Sequence, residues 1–471
     1  MKILLLTPPF NLMKQGYGTK KAIRAGFFPP LGLGYLAAPL LSKGHQIKII
    51  DSSPLDYTNE DIGREVRLFK PDLIGISAVT AMAESAYSLI NFLKKYWPEL
   101  PVVFGGSHAN CFPDAAFSEA PQLDMVGYGE GEKIFEEIVD YYDINKKLPQ
   151  NVLGTLVRME DGSIKTNPPA SLVMNLDNIL PPAHQLYDYK IYRPLPLQYK
   201  KLPTANLITS RGCPWRKCAF CFQAGRAGQM YRRHSPERAV DEIKTLIRFH
   251  NIQEIAFWDD NFLINEAWVN QFCDLLDRES IKIPWSVVAR VNTLTKPMLT
   301  RAKKSGLWNV FYGIESGNQD LLDRIEKGTT LEQIRQAVAW ACELDIDIRG
   351  SFVLALPGET PAKAINTIKF ACELDLTSAH FLPAHPEWGT TLYNDAIKSG
   401  RIVPTYLGRT TPTYIPDGYK DAEEVRKMLH LAYRKFYFRP KFFWKHLKRL
   451  RDFDKIRQYF DGLKYIIGIS Y

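Results

Sequence analysis

The sequence of 471 residues contains no apolar run as long as a transmembrane helix requires. It also contains no low-complexity tract and no short-period repeat, which argues against a repeat architecture. The apolar stretch near the start, Ile3 to Leu6, is shorter than a secretory signal peptide needs. We therefore expect a soluble cytoplasmic protein, divided at this length into two or three domains.

Cysteine is scarce, with seven residues in the chain. Four of them are scattered, namely Cys111, Cys273, Cys342 and Cys372. We interpret these four as small buried hydrophobes rather than as a disulfide framework. The other three, Cys213, Cys218 and Cys221, lie within nine residues, and no fourth cysteine is nearby. Three thiolates this close can hold three corners of a [4Fe–4S] cluster and leave one iron open to a non-protein ligand.

Zinc is the alternative for this cysteine triplet. A structural zinc site needs four ligands, usually supplied as two separated pairs. His234 is the one nearby residue that could complete such a set, but it lies in an Arg-rich stretch just before a helix predicted to begin near Ser235. We therefore favour the iron–sulfur cluster, and an open iron predicts an enzyme.

The first part of the chain, residues 1–145, alternates strand and helix patterns and predicts a Rossmann-like parallel sheet of α/β type. The predicted strands are Ile3–Leu6, Gln46–Asp51, Leu73–Ser77, Val102–Phe104 and Met125–Val126. A ligand of such a sheet is expected at the carboxyl ends of the strands, beside a topological switch point. Residues 146–200 are predicted to form a hairpin, with Asp161-Gly162 as its turn, and a linker.

The alternation resumes over residues 201–415 with six strand–helix units, fewer than the eight of a closed barrel. The predicted strands are Leu207–Thr209, Ile255–Trp258, Ser286–Arg290, Val310–Ile314, Gly350–Leu354 and His380–Leu382. A partial (β/α)6 barrel fits this count. The cysteine triplet follows its first strand, on the face where barrel active sites are built.

Residues 416–471 form a tail that is predicted to be helical and is rich in aromatic residues. We expect it to pack against the barrel; covering a substrate channel or touching a membrane surface are the alternatives. The chain carries a net charge of +9, and Arg439 to Arg451 contributes Lys and Arg without any acid. We interpret that segment as a solvated helix face rather than as a nucleic-acid site.

The triplet, the six units and the polar residues at successive strand ends together resemble the radical S-adenosylmethionine (SAM) superfamily. That family separates its first two cysteines by three residues, whereas four residues separate Cys213 from Cys218 here. The resemblance implies that SAM chelates the open iron and is cleaved to a 5′-deoxyadenosyl radical. It also implies SAM contacts from Phe220, Asp259, Asp260, Arg290, Glu315 and Ser316. A helix N-cap at Asn261 is the structural alternative for the acidic stretch.

The amino-terminal domain is similar to the cobalamin-binding domain of one branch of this superfamily, through motifs such as Gly105-Gly106-Ser107-His108 and Gly129-Glu130-Gly131-Glu132. The implied cobalamin contacts are Ser77, Thr80, Gly105, Gly106, His108, Gly129 and Glu130. The Asp-x-His-x-x-Gly motif that supplies a cobalt ligand is absent, so His108 is expected to touch the nucleotide tail or phosphate. A dinucleotide is disfavoured because the first turn, Thr7-Pro8-Pro9-Phe10, has no Gly-x-Gly-x-x-Gly.

Taken over nearly the whole chain, the sequence resembles the branch containing the anaerobic magnesium-protoporphyrin ester cyclase and hopanoid-modifying enzymes. This implies three cofactors, a [4Fe–4S] cluster, SAM and cobalamin, with a flavodoxin or ferredoxin as reductant. C-methylation of a small or lipophilic substrate is the favoured reaction. Radical cyclisation or rearrangement is the alternative enzyme reaction, and a corrinoid- or cluster-bearing sensor is the alternative without turnover. A methylthiotransferase is disfavoured because the amino-terminal domain lacks three cysteines for a second cluster.

Overall fold

The computed structural model describes residues 1–11, 15, 25–225, 230–402 and 412–447. The chain divides into two compact units, of which the first consists of Met1–Gln15 and Phe27–Tyr192 and the second contains the chain from Arg193 onward. Within the described residues, no helix is long and apolar enough to cross a membrane.

The first unit is built on one sheet of seven strands. These are β1 (Lys2–Thr7), β2 (Gln46–Asp51), β3 (Leu73–Ser77), β4 (Val102–Gly105), β5 (Met125–Gly127), β6 (Thr155–Arg158) and β7 (Ile164–Thr166), in the order β2-β1-β3-β4-β5-β6-β7. The first five strands are parallel, which confirms the predicted Rossmann-like core.

The hairpin of β6 and β7 belongs to this sheet rather than to a separate linker segment. It pairs antiparallel with β5, so that Met125 faces Val157. Without it, β5 would be an edge strand with a row of unpaired backbone groups. The first compact unit accordingly extends to Tyr192, beyond the boundary at residue 145 that the sequence predicted.

Helices cover both faces of the first sheet. They are α1 (Leu31–Ser42), α2 (Ser52–Leu55), α3 (Asn59–Phe69), α4 (Ala83–Tyr96), α5 (Ser107–Cys111), α6 (Ala115–Glu119) and α7 (Gly131–Asn145). A capping box between Thr58 and Asp61 begins α3. On the face formed by α1 and α7, Leu33, Ile134 and Ile138 are buried against the strands in one continuous core.

The second unit is a partial barrel of six parallel strands, as predicted. The barrel strands are β8 (Thr204–Leu207), β11 (Glu254–Phe257), β12 (Trp285–Ala289), β13 (Leu307–Glu315), β14 (Asp347–Leu354) and β15 (Ser378–Pro383), in the order β15-β14-β13-β12-β11-β8. Two short strands, β9 (Ser210–Arg211) and β10 (Arg232–Arg233), pair antiparallel on either side of the cysteine loop. This pairing fixes both ends of the segment that carries the cysteine triplet.

The barrel strands are connected and flanked by helices. They are α8 (Pro236–His250), α9 (Glu266–Arg278), α10 (Lys296–Lys304), α11 (Gln319–Arg324), α12 (Leu331–Glu343), α13 (Pro361–Glu373), α14 (Thr391–Lys398), α15 (Ala422–Tyr437) and α16 (Pro440–Leu447). The predicted start near Ser235 is confirmed, because the Ser235 side chain accepts a hydrogen bond from the backbone N–H of Arg238. The side chain of Asn265, not Asn261, caps α9.

The described part of the tail packs against the barrel, as predicted. The hydroxyl of Tyr437 on α15 donates to the Ala379 carbonyl at 2.8 Å, and the Tyr433 hydroxyl accepts from the Phe381 N–H at 3.3 Å. Phe436 is fully buried between them. The segment after residue 447 lies outside the described residues, so contact of the basic tail with a membrane stays a prediction.

Candidate active site

A cavity of about 140 Å³ opens at the carboxyl ends of β3, β4 and β5 in the first unit. The strand order places this edge beside the switch point between β1 and β3, where ligands of doubly wound sheets bind. Four of the seven predicted cobalamin contacts line it, namely Ser77, Gly105, Gly106 and Gly129. The sequence therefore predicted the position of the cavity and the glycines of its wall.

Much of the remaining cavity wall is apolar, and its residues were not among the predicted cobalamin contacts. It includes Leu33, Leu36, Ile134, Phe135 and Ile138 from α1 and α7. In the sequence these residues only indicate the buried face of an amphipathic helix, and most of them do belong to the core. The cavity is thus a gap in the core that the glycines leave unfilled.

His108 supports this loop from inside the fold. Its imidazole is fully buried, with Nε2 2.7 Å from the Tyr87 hydroxyl and Nδ1 3.4 Å from the Thr80 hydroxyl. Burial lowers the pKa of His108 to about 4, so the ring is neutral. Both ring nitrogens are therefore engaged within the protein, and contact of His108 or Thr80 with a ligand stays a prediction.

Glu130 likewise does not line the cavity. Its carboxylate accepts a hydrogen bond from the Val173 N–H at 3.4 Å, and the residue directly precedes α7. Glu132, one residue into the helix, lines the cavity instead. The acidic residue nearest the cavity is therefore shifted by two positions from the prediction.

The cysteine loop lies at the carboxyl end of β8 in the second unit. The Cys221 N–H donates to the Cys218 carbonyl at 3.0 Å. Burial raises the pKa of the Cys218 thiol and raises that of Cys221 to about 12. Among the described residues, no three His, Cys, Asp or Glu side chains converge into a metal-binding group.

Asp259 and Asp260 follow β11 and have different surroundings. The Asp259 carboxylate is buried and accepts from the Thr209 N–H and hydroxyl and from the Ser210 hydroxyl. Asp259 therefore connects the segment after β8 with the segment after β11. These hydrogen bonds satisfy the buried carboxylate without a ligand. The Asp260 residue is exposed, but desolvation of its carboxyl group and the charge of the neighbouring Asp259 raise the pKa of that group to about 6.

Arg290 follows β12 and points at the cysteine loop. Its guanidinium approaches the Cys218 sulfur at 3.6 Å and donates to the Lys327 carbonyl. The backbone N–H of Arg290 donates to the Asn261 side-chain oxygen at 3.1 Å, which gives Asn261 a structural role other than the predicted N-cap. The buried Nε of Arg290 has no hydrogen-bond partner among the described residues.

Glu315 ends β13 in a buried ion pair. Its carboxylate lies 2.6 Å from the Lys327 ammonium, and both side chains are less than a tenth exposed. The Glu315 backbone has φ of +67°, and Ala355, just after β14, has φ of +60°. Left-handed backbone at non-glycine residues costs on the order of 1 kcal/mol each and clusters at functional sites. Lys327 was not recognised from the sequence.

Ser316 and Phe220 contact protein groups rather than an open space. The Ser316 hydroxyl is fully buried, 3.2 Å from the Thr367 hydroxyl, and accepts from the Asn318 N–H at 3.1 Å. Phe220 is partly buried against the apolar cluster that includes Leu356. Both residues therefore have structural roles at the carboxyl edge of the barrel.

Comparison with known proteins identifies the family. Residues 22–139 match the B12 binding domain, and residues 207–371 match the radical SAM superfamily. Over 445 residues the chain is 35% identical to an uncharacterized methyltransferase of Pyrococcus horikoshii, covering 94% of this chain and 93% of that protein. The chain belongs to the cobalamin-binding radical SAM enzymes.

A further relative and a solved structure of the same fold are also similar to the chain. The anaerobic magnesium-protoporphyrin IX monomethyl ester cyclase of Rubrivivax gelatinosus is 26% identical, with 94% of this chain and 78% of the cyclase covered. The radical SAM methyltransferase TsrM of Kitasatospora setae, solved with cobalamin and a [4Fe–4S] cluster, has a TM-score of 0.71 at 16% identity. That comparison covers 93% of this chain and 89% of TsrM. The cofactors of this radical SAM enzyme are a [4Fe–4S] cluster, SAM and cobalamin.

The side-chain types present suit all three cofactors, although the three thiols do not converge in this structure. Three cysteines on one loop are the donor set of a cluster with an open iron, and iron would replace the protons that burial keeps on Cys218 and Cys221. Asp260 is an exposed carboxyl just after β11, and a carboxylate is a suitable partner for the ammonium of SAM. The glycine-lined cavity of the first unit can admit part of a bulky corrinoid.

Glu359 provides a pH-dependent feature of this radical SAM enzyme that can be tested on its own. One carboxyl oxygen accepts from the Ala355 N–H and from the Tyr419 hydroxyl, whereas the other is buried without a partner among the described residues. Burial raises the pKa of Glu359 to about 7. Between pH 4.5 and 7 the Glu359 carboxyl group therefore stays protonated in the folded state but loses its proton in the unfolded chain. The free energy of unfolding falls as the pH rises through this range.

We expect Glu359→Gln to be more stable than the wild type at pH 8, by at most about 3 kcal/mol, and equal to it near pH 4.5. Thermal unfolding of the anaerobic apoprotein at several pH values measures this difference. Glu373→Gln, at an exposed position at the end of the following helix α13, is the control and should leave the pH dependence unchanged. The same pH dependence of stability in Glu359→Gln and the wild type would contradict a raised pKa of Glu359.

Proposed function

We propose that this enzyme transfers a methyl group to a carbon atom of a small or lipophilic substrate. The observation that carries the proposal is a glycine-lined cavity at the B12-binding edge, in a chain that is similar over most of its length to a protein named as a methyltransferase. When bound, the cluster and SAM supply a 5′-deoxyadenosyl radical that abstracts hydrogen, and cobalamin supplies the methyl group.

Within this proposal the chain's own residues bind, orient and exclude water. Cys213, Cys218 and Cys221 hold the cluster, and the exposed carboxylate of Asp260 receives the SAM ammonium. The cavity formed by β3, β4 and β5 takes part of the corrinoid. Because His108 is buried and neutral, the bound cobalt would have no ligand from its imidazole.

Radical cyclisation is the second candidate function. It is favoured by the 26% identity to the magnesium-protoporphyrin ester cyclase over 94% of this chain. Both reactions need a small-molecule substrate and electrons, for which we propose a flavodoxin or a ferredoxin as donor. The fate of the SAM methyl group distinguishes the two reactions, because only methylation adds it to a carbon of the product.

The test uses the anaerobically reconstituted enzyme with cobalamin, a reductant and SAM labelled in its methyl group. We expect formation of 5′-deoxyadenosine and transfer of label to the protein-bound corrinoid before any substrate is added. Metabolite extracts are then screened by mass spectrometry for a labelled product. 5′-Deoxyadenosine without labelled corrinoid would contradict methyl transfer and favour the cyclase alternative.

A further inference from the structure

The loop between Cys213 and Cys218 is one residue longer than the family's usual spacing. Two features accommodate the longer connection. Arg216, within the loop, adopts a left-handed backbone with φ of +46°. Its neighbour Trp215 packs on the turn formed by residues 326–328.

Trp215 fits this turn closely. Its indole Nε1 donates to the Glu326 carbonyl at 2.8 Å. A Cβ at Gly328 would lie 2.1 Å from the Trp215 ring, so the indole lies directly against the glycine backbone. Gly328 also has φ of +65°, which side chains rarely adopt. Glycine is therefore required at this position by the backbone and by the ring.

Arg290 is held by the same arrangement. Its guanidinium carbon lies 5.0 Å from the centre of the Trp215 ring, within the range of a cation–π interaction. One guanidinium nitrogen donates to the Lys327 carbonyl of the turn, and another approaches the Cys218 sulfur at 3.6 Å. The guanidinium is thus enclosed by the Trp215 ring, the turn and the sulfur of Cys218.

We infer that Trp215 is a positioning residue that seats Arg290 against the Cys218 sulfur and thereby raises the reduction potential of the cluster. A fixed cation and an N–H donor beside a ligating sulfur stabilise the reduced cluster, which carries one more negative charge. The inference rests on the proposed role of Cys218 as a cluster ligand. It assigns a function to the additional residue of the loop.

The test is potentiometric titration of the reconstituted cluster, followed by electron paramagnetic resonance. Arg290→Met should retain its iron and shift the midpoint potential to a more negative value. Trp215→Ala should shift it in the same direction by a smaller amount. The double variant should have the potential of Arg290→Met alone, because Trp215 acts only through Arg290.

Two glycine variants test the contact of Trp215, one as a probe and the other as its matched control. Gly328→Ala should reproduce the shift of Trp215→Ala, because the new methyl group displaces the indole. Gly400 has nearly the same backbone, with φ of +64°, but nothing lies within 4 Å of a Cβ built there. Gly400→Ala therefore carries a comparable backbone strain without the collision, and it should keep the wild-type potential.

Three outcomes would overturn the inference. The first is an unchanged potential in Arg290→Met, and the second is a double variant whose shift is the sum of the two single shifts. The third is loss of iron in Trp215→Ala, which would mean that Trp215 holds the loop rather than the guanidinium. The variant Cys218→Ala distinguishes these outcomes from a failure of the proposed cluster site. If Cys218 is not a cluster ligand, this variant keeps its iron and sulfide.

Discussion

Replacement of Cys218 by alanine is expected to abolish both the cluster and the cleavage of SAM. Cys218 is the most buried cysteine of the triplet, and its sulfur is the one that Arg290 contacts. With two cysteines left, a second iron corner loses its protein ligand, and a cluster bound in this way is released or degraded. Iron and sulfide content, visible absorbance and 5′-deoxyadenosine formation measure the loss, which we expect to reach background.

The matched control for this variant is Cys372→Ala. Cys372 is a partly buried cysteine on α13, and its thiol contacts the Lys435 carbonyl at 3.8 Å, remote in sequence from the triplet. It should retain full iron and full SAM cleavage. Iron and sulfide retained in Cys218→Ala at the wild-type level would refute the ligand role of Cys218.

The regular elements were predictable because their patterns are local. Gln46–Asp51 and Leu73–Ser77 have the strand boundaries that the sequence predicts. Leu73–Ser77 is a short apolar run, typical of a buried parallel strand, and Gln46–Asp51 mixes polar residues with isoleucines, as an edge strand does. The first barrel strand is less well predicted, beginning at Thr204 rather than Leu207. Its polar residues Thr204 and Asn206 are buried, which an apolar pattern does not reveal.

The position of the site was predictable, but the partners of its side chains were not. A carboxylate at a strand end can bind a ligand or the neighbouring strand, and Asp259 binds Thr209 because Phe257 pairs with Leu207 across β8 and β11. That register is a long-range property. Lys327 was missed for a similar reason, since only the turn after α11 brings it to Glu315.

Replacement of Gly105 by valine is expected to weaken cobalamin binding about 10- to 100-fold while the fold is preserved. Gly105 ends β4 and lines the cavity. A Cβ at Gly105 meets only the Gly127 carbonyl, at an ordinary 3.6 Å, so the added methyl groups enter the cavity rather than the core. Titration of the apoprotein with cobalamin, followed by its visible spectrum, measures the affinity.

The neighbouring residue Gly106 shows why Gly105→Val is the better test of the cavity. A Cβ at Gly106 would lie 2.6 Å from the Ala78 carbonyl, and the residue has φ of +96°, so a side chain there would damage the domain itself. Gly105→Val avoids both problems and should keep the wild-type unfolding temperature. It should also keep its iron, because the cysteine loop belongs to the other compact unit. Wild-type cobalamin affinity in a folded Gly105→Val variant would mean that the corrinoid does not use this cavity.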